Sequence, residues 1–131
     1  MSFKKFVAAW IGGVILAVAS FVIHNPTAEA YNKRNCEQIV QEIKRQNGSA
    51  NAQQYLGRRI AWRESGCSLQ CVSDSDDHSC SRFGINFKGS MGKFWGKLCG
   101  AWNRMATKAL SVDVRCALRA FKKYGTKPWG R

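Results

Sequence analysis

Apolar side chains at Cys36, Ile39, Val40 and Ile43 recur at the i, i+3, i+4, i+7 spacing of one helix face, with Glu37, Gln41, Glu42, Lys44 and Arg45 between them. The pattern predicts an amphipathic helix that stops at Asn47-Gly48. A second helix is expected from Ser49 or Asn51, with Leu56 and Ile60 on its inner face, Tyr55 and Trp62 beside it, and an end at Ser65-Gly66. From Cys67 to Gly92 the helical period vanishes and Ser, Asp and Gly dominate, which predicts a loop with a small hairpin around Ser81 to Phe87. Trp95, Leu98, Cys99, Trp102, Met105 and Ala106 restore a helical stripe, and at that spacing Trp95 and Trp102 read as core before they read as a groove lining. A last helix runs from a Ser111 cap through Val114, Ala117, Leu118 and Phe121 to Tyr124. Asp113 in its first turn, Lys122 and Lys123 in its last, then Gly125 and Pro128, agree with that period. The expected fold is α+β, predominantly α-helical, with one irregular excursion.

The first thirty residues follow a different rule. Lys4 and Lys5 precede an uncharged run from Phe6 to Ile23, and Ala28-Glu29-Ala30 follows. This basic, apolar, small-residue order predicts a signal peptide over 1–30, cut after Ala30, and an exported domain over 31–131, periplasmic or extracellular. The apolar run is long for a signal, so the alternative is an uncleaved anchor that holds the domain on the periplasmic side. Of 21 basic and 8 acidic residues in the chain, that segment holds only Lys4, Lys5 and Glu29, so the remainder carries 19 against 7. Such an excess favours polyanions, and export points to a cell wall, an anionic envelope polymer or a membrane surface as partner, with no nucleic acid expected.

Glu64 falls four residues beyond Ile60, on the apolar stripe and at the C-terminal end of its helix, with Arg58, Arg59 and Arg63 close by in sequence. A carboxylic acid half withdrawn from water suits proton donation to a glycosidic oxygen. The plainer reading is a helix-end Glu that swings into solvent or pairs with an Arg.

Glu64-Ser65-Gly66 at a helix end, followed some twenty residues later by Phe83-Gly84-Ile85-Asn86-Phe87, resembles the lysozyme-like superfamily, in which lytic transglycosylases carry a helix-terminal Glu-Ser-Gly and c-type lysozymes a Glu followed by a Gln-Ile-Asn strand. Asp113-Val114-Arg115-Cys116-Ala117 and the ending from Ala120 to Trp129, with its Gly-x-x-Pro-Trp, are similar to the C-terminal part of secreted members. The resemblance covers about Tyr55 to Trp129. It implies a disulfide-stabilised lysozyme-like domain that cleaves the β-1,4 bond between N-acetylmuramic acid and N-acetylglucosamine in peptidoglycan glycan strands. Glu64 would be the catalytic acid, and Ser65, Gly84, Ile85, Asn86, Phe87 and Tyr124 would bind substrate. The second carboxylate of a c-type lysozyme falls here on Ser79 or Arg82, neither of which is acidic. A lytic transglycosylase, which needs one Glu, is therefore the leading expectation. A hydrolytic muramidase would need Asp74, Asp76 or Asp77 as its second carboxylate. A non-catalytic cationic protein on the same scaffold is the alternative from another class.

All six cysteines lie beyond residue 30, an even number in an exported segment, so three disulfides are expected. The resemblance supplies Cys99–Cys116. The simplest account of the rest closes the acidic run with Cys71–Cys80 and leaves Cys36–Cys67 by elimination. Zinc at Cys67, Cys71, His78 and Cys80 has loose spacing and competes with oxidation; calcium at Asp74, Asp76 and Asp77 lacks the Gly and distal Glu of an EF-hand. No metal and no cofactor is expected, and the domain is expected to act as a monomer.

Overall fold

The computed structural model describes residues 28–100 and 103–130, with side chains from Asn32 onward. The leader expected over 1–30 lies outside the described residues apart from its last three, and so does Trp102. Asn32–Arg131 forms one compact unit. Among the described residues no helix is long and apolar enough to cross a membrane.

Helix α1 (Ala28–Arg45) buries Cys36, Ile39, Val40 and Ile43. It ends where Asn47 takes a left-handed φ of 63° and Gly48 N–H returns to Ile43 O at 2.8 Å. A Cβ on Gly48 would lie 2.4 Å from Ile43 Cγ2, so only glycine permits this close turn. Ser49 caps the next helix by accepting from Ala52 N–H at 3.1 Å. That helix starts as α2 (Ala50–Ala52), widens to a π-helix over Gln53–Ile60, and returns to α-geometry in α3 (Ala61–Ser65). The widened stretch crosses α1 at Gly57, where a Cβ would stand 2.6 Å from Val40 Cγ2. Leu56, Gly57, Ile60 and Ala61 are buried there.

The hairpin lies earlier in the chain than expected. Strands β1 (Gln70–Ser73) and β2 (His78–Ser81) pair antiparallel, with Cys71 opposite Cys80 and the acidic run as their turn. The segment expected to hold the hairpin, Ser81 to Phe87, only returns alongside β2, through one bridge between Ser79 and Asn86 and a Phe87 N–H to His78 O bond of 2.9 Å.

Helix α4 (Gly89–Cys99) stops at Gly100, whose left-handed φ of 67° closes it. The stripe expected to continue to Ala106 is therefore broken; Met105 is half exposed and Ala106–Lys108 is a separate 3₁₀ turn. Helix α5 (Leu110–Tyr124) begins one residue before the expected Ser111 cap. Ala109 holds the cap position, and Ser111 lies inside the first turn with its carbonyl accepting from Gln46 Nε2 at 2.8 Å. A 3₁₀ turn at Lys127–Trp129 closes the described chain.

The core joins Ile39, Ile43, Leu56, Ile60, Phe83, Ile85, Trp95, Val114 and Leu118. Trp95 is a core residue, 1% exposed. All three disulfides form as paired above: Cys36–Cys67 ties α1 to the turn after α3, Cys71–Cys80 spans the hairpin, and Cys99–Cys116 joins α4 to α5. Three disulfides mark an exported protein, because the cytosol keeps thiols reduced.

Candidate active site

Three parts of the chain meet at the end of α3. Gly66 (φ 63°) and Cys67 (φ 65°) both turn left-handed, Cys67 N–H closes on Ala61 O at 3.0 Å, and the disulfide to Cys36 fixes the bend. Ser65 is buried; its hydroxyl lies 2.6 Å from Arg82 O and 3.0 Å from Ala61 O, so it ties the helix end to the segment after β2. Glu64 sits at the surface edge of this join, its side chain 30% exposed.

Across from it Gly84 adopts φ 68°, and a Cβ there would fall 2.9 Å from Glu64 Oε2. The carboxyl thus lies over bare backbone, which any other residue would push away. Arg63 holds the other oxygen: its Nη2 is 2.8 Å from Glu64 Oε1 and also donates to Trp129 O at 2.7 Å. Trp129 Nε1–H in turn donates to Phe83 O at 2.9 Å, and its ring packs on Trp95 at 5.7 Å. Glu64, Gly84 and the closing turn therefore form one connected edge.

The other residues singled out for substrate have local duties. Ile85 is fully buried in the core and Phe87 packs partly against it. Asn86 spends its side chain on the hairpin: Oδ1 accepts from His78 N–H and Lys88 N–H, both at 2.9 Å, and Nδ2 donates to Asp76 O at 3.0 Å. Tyr124 sets its ring against Phe94 at 5.5 Å, beside a shallow pocket whose lining does not include Glu64.

Asp74, Asp76 and Asp77 make the hairpin turn. Asp74 Oδ1 accepts from the N–H groups of Asp76 and Asp77, each at 2.8 Å, and these bonds hold its carboxyl below the ordinary carboxylate range. Ser79 and Arg82 are engaged elsewhere, Ser79 buried beside Asn86 and Arg82 paired with Asp113. Among the described residues no group of three or more His, Cys, Asp or Glu is placed to hold a metal ion.

Asp113 is the residue whose importance the sequence hid. It reads there as a first-turn acid of α5, yet it is fully buried. Oδ1 accepts from Ser81 Oγ at 2.6 Å, and Oδ2 accepts from Arg82 N–H at 2.8 Å and Arg82 Nη1 at 3.1 Å. Burial raises its pKa from the ordinary 3.8 to about 6, against the pull of these donors. Its partners lie 31 and 32 positions away, out of reach of any local pattern.

On the flank of the π-helix, Tyr55, Arg58, Arg59, Trp62, Arg63 and Thr126 line a second concavity. Arg59 lies over the Tyr55 ring at 4.9 Å and Arg58 pairs with Glu37, while Trp62 is 47% exposed. Comparison with protein families, with curated proteins and with solved structures gives no match to this chain.

Proposed function

We propose that the exported domain is a peptidoglycan-cleaving glycosidase of the lysozyme-like type, acting as a lytic transglycosylase with Glu64 as its one catalytic carboxyl. The observation that carries the reading is the placement of Glu64 Oε2 against the backbone of Gly84, at a partly exposed helix end. Arg63 holds Oε1 and leaves Oε2 on the side of Gly84 to give and take the proton. In the first step Glu64 protonates the oxygen that bridges N-acetylmuramic acid to N-acetylglucosamine, and that bond to C1 breaks. In the second the carboxylate removes the proton of the muramyl 6-hydroxyl, whose oxygen closes on C1 to give a 1,6-anhydro ring. No water is consumed, and Glu64 ends protonated as it began.

Hydrolysis would need a second carboxyl roughly 5 to 9.5 Å from the first. The hydrogen-bonded turn that holds Asp74, Asp76 and Asp77, and the use of Ser79 and Arg82 elsewhere, favour the single-acid route. Changing all three aspartates to Asn is expected to leave cleavage per folded molecule within about threefold, since on this reading none of them takes part in the chemistry. Mass analysis of sugars released from purified peptidoglycan tests the chemistry directly. Anhydro ends are expected; reducing ends would replace the transglycosylase with a muramidase. Lysis unchanged in Glu64→Gln would remove catalysis and leave the cationic, non-enzymatic reading.

A further inference from the structure

Beyond Asp77 the chain has one acidic residue, Asp113, and that one is buried on Ser81 and Arg82. Lys93 and Lys97, one turn apart on α4, and Lys123 and Lys127 at the end of α5 and beyond it are all exposed. None of the four makes an ion pair among the described residues.

They surround apolar surface. Phe94 and Tyr124 meet at 5.5 Å and line two adjoining shallow pockets, one completed by Met91, Lys127 and Pro128, the other by Lys93, Lys97, Leu98 and Lys123. Met91 is 40% exposed and Tyr124 38%. This differs in kind from the arginine-lined concavity on the π-helix, where Arg58 and Arg63 already hold carboxylates.

We infer that the face formed by Met91, Lys93, Lys97, Lys123, Tyr124 and Lys127 docks on the anionic phospholipid surface of a bilayer. Lysine is a point charge on a flexible apolar stem; it meets a phosphate headgroup without fixed geometry, while its stem covers the rings beside it. Tyr124 presents an apolar ring with a polar tip, the form suited to a bilayer interface. A glycan would want amides and carboxylates around its hydroxyls, and the lining of these two pockets holds none. The inference does not depend on Glu64 cleaving anything.

The test uses the full chain and vesicles of phosphatidylglycerol and phosphatidylcholine in equal parts, with phosphatidylcholine vesicles as baseline. Changing Lys93, Lys97, Lys123 and Lys127 together to Ser is expected to lower the anionic-over-neutral binding ratio by at least about a hundredfold, from roughly fivefold per lysine. Changing Lys33, Arg34, Lys44 and Lys108 to Ser removes equal charge elsewhere and is expected to cost far less. Hydrogen exchange on anionic vesicles is expected to slow in residues 91–98 and 122–128, and Met91→Ser to weaken that protection. Equal losses from the two charge sets, or protection confined to other segments, would overturn the inference.

Discussion

Two carboxylates flank the short segment from Ser81 to Gly84, and their surroundings give them opposite work. Asp113 is fully buried, takes three hydrogen bonds from Ser81 and Arg82, and joins the start of α5 to the end of β2. Glu64 approaches the same segment from the solvent side, beside Gly84, with its exposed neighbour Arg63 on one oxygen. A buried, fully bonded carboxylate cannot reach a substrate without breaking the fold that holds it. A carboxylate at an open edge costs the fold little and can meet a polymer. Both have an arginine beside them, so exposure rather than pairing separates the buried anchor from the carboxylate that the proposed function uses.

The comparison is sharpest when each group is removed in turn. Glu64→Gln keeps the shape of the side chain and loses the proton, so under the proposed function cleavage of peptidoglycan is expected to fall by at least about a hundredfold. Its stability in urea should change by less than about 0.5 kcal/mol, as for other surface substitutions. Asp113→Ala leaves Ser81, Arg82 N–H and the Arg82 guanidinium without their acceptor, and is expected to cost about 3 kcal/mol of stability. Activity per folded molecule should survive in the milder Asp113→Asn. A variant of Asp113 that stays folded yet loses cleavage would break the division of labour.

Asp113 also sets a pH dependence of definite sign. Its pKa is about 6 in the folded chain and near 3.8 when unfolded, so between these values the folded state holds more protons. Stability from this group is therefore fully present below about pH 4 and is lost as pH rises to about 6, by up to about 3 kcal/mol. The carboxyls of Glu42 and Asp74 are shifted the other way, by Arg45 and by backbone N–H groups respectively, and their contributions begin to be lost as pH falls through their ordinary values of 4.5 and 3.8. The upper part of this range, from about pH 5 to 6, thus isolates Asp113. Thermal unfolding across it should slope downward in the parent chain and flatten in Asp113→Asn; an equal slope in both would assign the effect to another group.

How much of the molecule is legible in its sequence follows from the range of each interaction. Helix faces repeat every three or four residues, so Ile39, Val40 and Ile43, and later Val114, Ala117 and Leu118, stand out on periodicity alone. The start of the second helix at Ser49 is equally local. The π-helix is not: it lies where Gly57 comes close to Val40 on another helix, a contact no local spacing announces. The hairpin escapes its pattern for a related reason: Ser79 and Ser81 are buried polar residues, so β2 lacks the alternation that announces a strand. Glu64 can be singled out from its helix end, but the bare backbone opposite it, the arginine bridge to Trp129 and the whole of Asp113's role depend on distant partners.

The smallest expected effect probes the link between the two regions. Trp129 Nε1–H bonds Phe83 O, between Arg82, which Asp113 holds, and Gly84, which faces Glu64. Trp129→Phe removes that one bond while retaining a ring beside Trp95, so urea unfolding should register a loss of about 1 kcal/mol. The contact from Arg63 is to the main-chain carbonyl of residue 129 and outlasts the substitution. Glu64 would keep its charged neighbour while Phe83 and Gly84 gain freedom beneath it, and cleavage should fall about threefold rather than a hundredfold. A loss as large as that of Glu64→Gln would mean that the edge around Glu64 depends on the closing turn as much as on the acid; no loss would mean that Asp113 and Ser65 are enough to hold the segment in place.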